Sequence, residues 1–126
     1  MKKLSEYILT LIAHFTEDLV YEMSNQYEKD TGIPGCIFVS SRMGKHEGRI
    51  KYYTNKPSLN GPCLIYSIYN FKVLRDKLGN EVDSKTRKQI IAWIKINQKE
   101  LIQFWETGYD WTPEQVRYFE DNLKKV

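Results

Sequence analysis

The chain has 126 residues, an apolar fraction of 41%, a charged fraction of 28% and a net charge of +3. This is the make-up of a globular protein of one domain, long enough to bury a core without metal or disulfide staples. No apolar run approaches the twenty or so residues that cross a bilayer, which argues against a membrane-spanning helix.

Met1-Lys2-Lys3 resembles the basic start of a signal peptide. Ser5, Glu6, Thr10 and His14 interrupt the apolar residues after it, and no small-residue cleavage site appears, so the expectation is a cytoplasmic protein with an amphipathic first helix. Leu4, Ile8, Leu11, Ile12, Phe15, Leu19 and Met23 recur at helical spacing. Either one helix runs to about Lys29, or it breaks at Thr16, which could cap a second helix with Glu17 and Asp18 in its first turn. Thr31-Gly32-Ile33-Pro34-Gly35 closes this helical N-terminal segment, residues 1–35.

Strand patterns occupy Cys36–Ser41, Gly48–Thr54 and Pro62–Tyr69. Short links with Asn-Lys-Pro and Asn-Gly turn signals predict antiparallel neighbours, a β-meander within residues 36–77. Lys72–Asp83 reads as a charged connector with a turn at Leu78-Gly79-Asn80. Ser84 is expected to cap a long helix carrying Ile90, Trp93, Ile94, Asn97, Leu101, Phe104 and Trp105, ended by Gly108. Thr112-Pro113-Glu114-Gln115 opens a last helix through a capping box, with Trp111 either stapling it or facing a partner. The expected fold is α+β: a small three-stranded antiparallel sheet packed with the N-terminal helical segment and two C-terminal helices over residues 84–126. No repeat, low-complexity tract or flexible linker divides the chain.

Charge is uneven along this frame. Residues 36–77 hold Arg42, Lys45, Arg49, Lys51, Lys56, Lys72, Arg75 and Lys77 against Glu47 and Asp76. A local field of this kind steers anionic partners. Within it, the glycine-bracketed turn from Ser40 to Gly48 carries Ser40, Ser41, Arg42, Lys45 and His46, a chemistry suited to phosphate. On the strand after it, period two places Arg49, Lys51 and Tyr53 on one face, with Ile50 and Tyr52 on the other. Arg49 and Lys51 then stand roughly 7 Å apart, near the separation of successive phosphates of a nucleic acid, with Tyr53 as a stacking surface. The same pattern also serves a solvent-facing strand that discourages edge pairing.

Several chemistries are set aside. Gly44-Lys45 is followed by His46 and a strand rather than by Ser/Thr and a helix, so the turn is not a nucleotide P-loop. His14 and His46 have no adjacent ligand set, so no metal site and no cofactor is expected. Cys36 and Cys63 belong to no Cys-x-x-Cys pair and read as buried thiols, with a disulfide open only if their strands are neighbours. His46, with Arg49 and Lys51 stabilising a pentavalent phosphate, is the one candidate general acid or base.

Residues 37–106 resemble a family of short, uncharacterised bacterial proteins. Its marks are a His-Gly-Pro-Arg-Ile-Lys strand, a Ser-containing strand and a Trp-Ile-x-x-Asn-x-x-x-Leu-x-x-x-Trp helix. Here these are His46-Glu47-Gly48-Arg49-Ile50-Lys51, Tyr66-Ser67-Ile68, and Trp93-Ile94 with Asn97, Leu101 and Trp105. Glu47-Gly48 departs from Gly-Pro in the first motif. The resemblance implies a neighbourhood of toxin–antitoxin or mobile-element genes and transfers no activity. Three functions therefore stand as expectations. The first is a non-enzymatic binding protein engaging RNA or DNA through the basic turn and strand. The second is a protein-interaction module or homodimer, such as an antitoxin-like or phage-type inhibitor, docking through the first helix. The third is a ribonuclease-like toxin using His46.

Overall fold

The computed structural model describes residues 23–41, 47–58 and 60–126. Five antiparallel strands form one sheet in sequence order: β1 (Met23–Tyr27), β2 (Cys36–Ser40), β3 (Arg49–Tyr53), β4 (Leu64–Ser67) and β5 (Val73–Asp76). A single helical turn, α1 (Glu28–Thr31), links β1 to β2. After β5 come α2 (Ser84–Ile96), α3 (Gln98–Thr107) and α4 (Pro113–Asn122).

The expected three-stranded sheet is thus corrected to five strands, with new strands at both edges. Met23–Tyr27 is extended, where helical spacing placed the end of a helix. Its inward residues are Ser24 and Gln26, both buried, so the period-two pattern is written in polar side chains. Gln26 donates its amide to the Ser24 hydroxyl, which donates to the Glu120 carboxylate of α4; a buried polar pair is tolerated because it is satisfied. The charged connector contains β5, whose residues are all exposed. Its pairing with β4 joins Ile65 to Arg75 and Tyr66 to Val73, so Leu74 is an extra residue at a bulge. The expectations for residues 1–22, His14 and the Thr16 cap among them, lie outside the described residues.

The core lies between one sheet face and the helices. Ile37, Val39, Ile50, Tyr52, Leu64 and Tyr66 meet Ile90, Trp93, Ile94, Leu101, Phe104, Trp105 and Phe119. Each large apolar side chain so buried contributes about 1.5–3 kcal/mol. A smaller cluster, Tyr53, Cys63 and Ile65 with Phe38 against it, occupies the sheet's other face. Strand β4, between β3 and β5, is buried throughout, Leu64 and Tyr66 serving the first cluster and Ile65 the second.

The long helix expected after residue 84 is two helices, broken at Asn97. The apolar stripe continues across the break, so periodicity alone does not reveal it. Asp83 rather than Ser84 is the cap: its carboxylate accepts from the Thr86 amide at 2.7 Å. The capping box of α4 is as expected, with Gln115 N–H donating to the Thr112 hydroxyl and Thr112 N–H to the Gln115 side chain. Trp111 rests against Phe104 and Phe119, with ring centroids 5.5 and 5.9 Å away, so it staples the last helix. The chain then returns to the start of the described sheet, where Val126 N–H donates to the Thr31 carbonyl at 2.9 Å. Gly32, at φ +83° after α1, leaves room there, since a Cβ would collide with the Val126 carbonyl oxygen.

Candidate anion-binding groove

Cross-strand register brings the basic residues together. Lys51 pairs with Ile65, and Ile65 pairs on its other side with Arg75. Lys51 and Arg75 therefore flank the same apolar residue, with backbones about 10 Å apart across two strand spacings. One step along, Lys77 N–H donates to the Cys63 carbonyl at 3.1 Å, extending the β4–β5 ladder beyond the bulge. Because paired residues share a face, these positions lie on the side of the sheet opposite the helices.

They line a groove of about 460 Å³ together with the buried Tyr53, Cys63 and Ile65, which form its floor, and the loop residues Asn60, Gly61 and Pro62. Among the described residues, none that lines it is acidic. The nearest carboxylate in sequence, Asp76, is committed elsewhere. Its Oδ2 meets the Arg87 guanidinium of α2 at 3.0 Å, and its Oδ1 accepts the Leu78 and Gly79 amides. Those bonds, led by the Gly79 amide, hold the Asp76 carboxyl below its usual range, so it stays charged and turned towards the turn and α2. Among the described residues, no ion pair neutralises Lys51, Arg75 or Lys77.

The other basic-region residues divide. Arg49 lies on the same face of β3, half-buried, its Nε donating to the Glu47 carbonyl at 3.2 Å. The Lys51 ammonium sits 5.9 Å from the Phe38 ring centroid, a weak cation–π contact that leaves its charge uncompensated. Tyr53 is 7% exposed and forms floor rather than an open stacking plate. Burial, and after it the neighbouring Cys63 thiol, push its hydroxyl up to about 12. Ser40 and Ser41 are buried and do not line the groove. Arg42, Lys45 and His46 lie outside the described residues, and with them the candidate acid–base chemistry.

Arg75 and Lys77 were not singled out by the sequence patterns as site residues. The signal for them is the charge tally of residues 36–77, but reaching the site needs the unanticipated strand β5. Cys36 and Cys63 are free and buried, and β3 lies between their strands. Among the described residues no cluster of three or more His, Cys, Asp or Glu could hold a metal, and no helix is long and apolar enough to cross a membrane. No family model, no curated protein and no solved structure matches this chain.

Proposed function

We propose that this protein binds a single strand of nucleic acid, with its phosphates along Lys51, Arg75 and Lys77. The observation that carries this reading is the set of cations on either side of β4 around an apolar floor, with no carboxylate lining the groove among the described residues. Cations with no ion-pair partner among the described residues keep most of their attraction for phosphate, and each phosphate neutralised releases a counterion. Arg75 adds a planar donor fork suited to phosphate oxygens, while the lysines act as point charges. Arg49 extends the basic face along β3.

The test is fluorescence anisotropy of labelled single-stranded RNA and DNA across a salt series. The expected result is binding at low salt that weakens with a log–log slope of about −2, from about 0.7 per phosphate contact on a single strand. Combining Lys51→Glu, Arg75→Glu and Lys77→Glu removes most of the affinity and flattens the slope. No binding at low salt, or equal binding by the charge-reversed protein, overturns the reading.

A further inference from the structure

We infer that the free edge of β5 docks a short extended segment of a partner protein, in which acidic residues alternate with apolar ones, as an added antiparallel strand. This goes beyond the nucleic-acid reading and does not rest on it. Strand β5 ends the sheet, and its residues are exposed. The Lys72 carbonyl accepts the Ser67 N–H at 2.9 Å, and the Lys77 N–H donates to the Cys63 carbonyl at 3.1 Å. These two residues therefore turn their peptide groups towards β4. By alternation, Val73 and Asp76, opposite Tyr66 and Leu64, turn theirs away from it. Among the described residues, no hydrogen bond from outside the ladder reaches the main chain of either. Unpaired groups of this kind are what a strand added to a sheet edge takes up. The extra residue at Leu74 breaks the regular spacing of these groups, so the pairing is short.

Charge selects the occupant. Lys72, Arg75 and Lys77 are the neighbours of Ser67, Ile65 and Cys63 on β4, so all three cations share the sheet face opposite the helices. Among the described residues no ion pair engages this row. Asp76 belongs to the other face, where the Arg87 guanidinium holds it at 3.0 Å. A second copy of the chain pairing edge to edge would set cations against cations. An acidic strand sets opposite charges directly across from them. On the helix side of the sheet, Val73 stays 47% exposed and gives the apolar residues of that strand a contact.

The probe is a labelled seven-residue peptide of alternating glutamate and valine, titrated with the full chain at low salt, with amide exchange followed by NMR. Binding is expected to slow exchange at Val73 and Asp76 about tenfold. In antiparallel pairing, the peptide residues bonded to Val73 and Asp76 share their face and are the valines. N-methylation of the valine amides therefore weakens binding about tenfold, while N-methylation of the glutamate amides changes it less than about twofold. Lys72→Glu, which lies outside the groove, weakens the peptide about threefold. No binding, or equal effects of the two methylations, overturns the proposal. So does slow exchange at Val73 and Asp76 in the free protein, and protection that grows with protein concentration assigns the edge to a second copy instead. Protection of the same amides by an oligonucleotide also overturns it. Oligonucleotide binding that leaves these amides unprotected keeps the groove reading standing when the peptide fails, so each reading can fail alone.

Discussion

Asn97 grips the backbone of Lys124 at both ends of one peptide-like carboxamide. Its Nδ2 donates to the Lys124 carbonyl at 3.0 Å while its Oδ1 accepts the Lys124 N–H at 2.8 Å. The same Nδ2 reaches the Trp93 carbonyl at the end of α2. The asparagine is buried where α2 gives way to α3, so one side chain satisfies the helix break and the returning C-terminal segment together. Its place between Trp93 and Leu101, both core residues, gives a structural meaning to the spacing of that helix.

Asn97→Ala removes the side-chain partner of the Lys124 amide and carbonyl, while the Trp93 carbonyl keeps the residue-97 backbone N–H. Urea unfolding is expected to show a loss of about 1–3 kcal/mol, from the side-chain hydrogen bonds removed at a part-buried site. Asn97→Asp recovers little, because a carboxylate cannot donate to the carbonyls that Nδ2 serves. Stability within about 0.5 kcal/mol of wild type would show that the clamp is dispensable.

Trp111 holds α4 through its contacts with Phe104 and Phe119, which are themselves stacked at 4.3 Å. Its indole N–H also donates to the Thr107 hydroxyl at 3.1 Å. Trp111→Ala is expected to cost about 2–3 kcal/mol, less than truncation of a fully buried tryptophan. Hydrogen exchange should show α4 opening first, ahead of the β3–β4 pair.

Alkaline conditions act on the sheet face opposite the helices. Burial raises the Cys36 thiol from 9.0 to about 11, and the Tyr53 hydroxyl rises from 10.0 to about 12. Folded values above the unfolded ones mean that stability from these neutral groups is intact below about pH 9. It is lost as the pH climbs towards the raised values. Unfolding midpoints in urea should hold steady to about pH 9 and then fall, and Cys36→Ala combined with Tyr53→Phe should soften that fall.

Acid conditions act on the turn and cap after β5. Asp76, held chiefly by the Gly79 amide, and Asp83, held chiefly by the Thr86 amide, both lie below their ordinary 3.8. A depressed folded value gives stability that is present above 3.8 and disappears as pH falls through the lowered value. Asp83→Asn retains a cap acceptor without a titrating group, so its share of the acid loss vanishes. An unchanged acid transition in this variant would exclude Asp83 from it.

Legibility followed local chemistry. The α4 capping box, the alternation of Arg49–Tyr53 and the core tryptophans could be read directly, because short-range spacing specifies each of them. Strand β1 could not, because Ser24 and Gln26 face inward and their partner Glu120 lies far along the chain. Strand β5 was hidden by its brevity, its charges and its bulge. The groove was half visible for the same reason: Lys51 stood out on an alternating strand, while Arg75 and Lys77 needed the register with Ile65 and Cys63.

The extra residue at Leu74 has a bearing on how any variant of this edge will behave. A terminal strand with free amides and carbonyls is an invitation to polymerise, and natural sheets refuse it with kinks and like charge. Lys72, Arg75 and Lys77 supply that refusal on the rim beside Val73 and Leu74, which are 47% and 38% exposed. Neutralising them to alanine would therefore confound lost ligand affinity with fibril growth. Reversal to glutamate keeps copies of the chain apart and leaves the loss of polyanion binding cleanly readable.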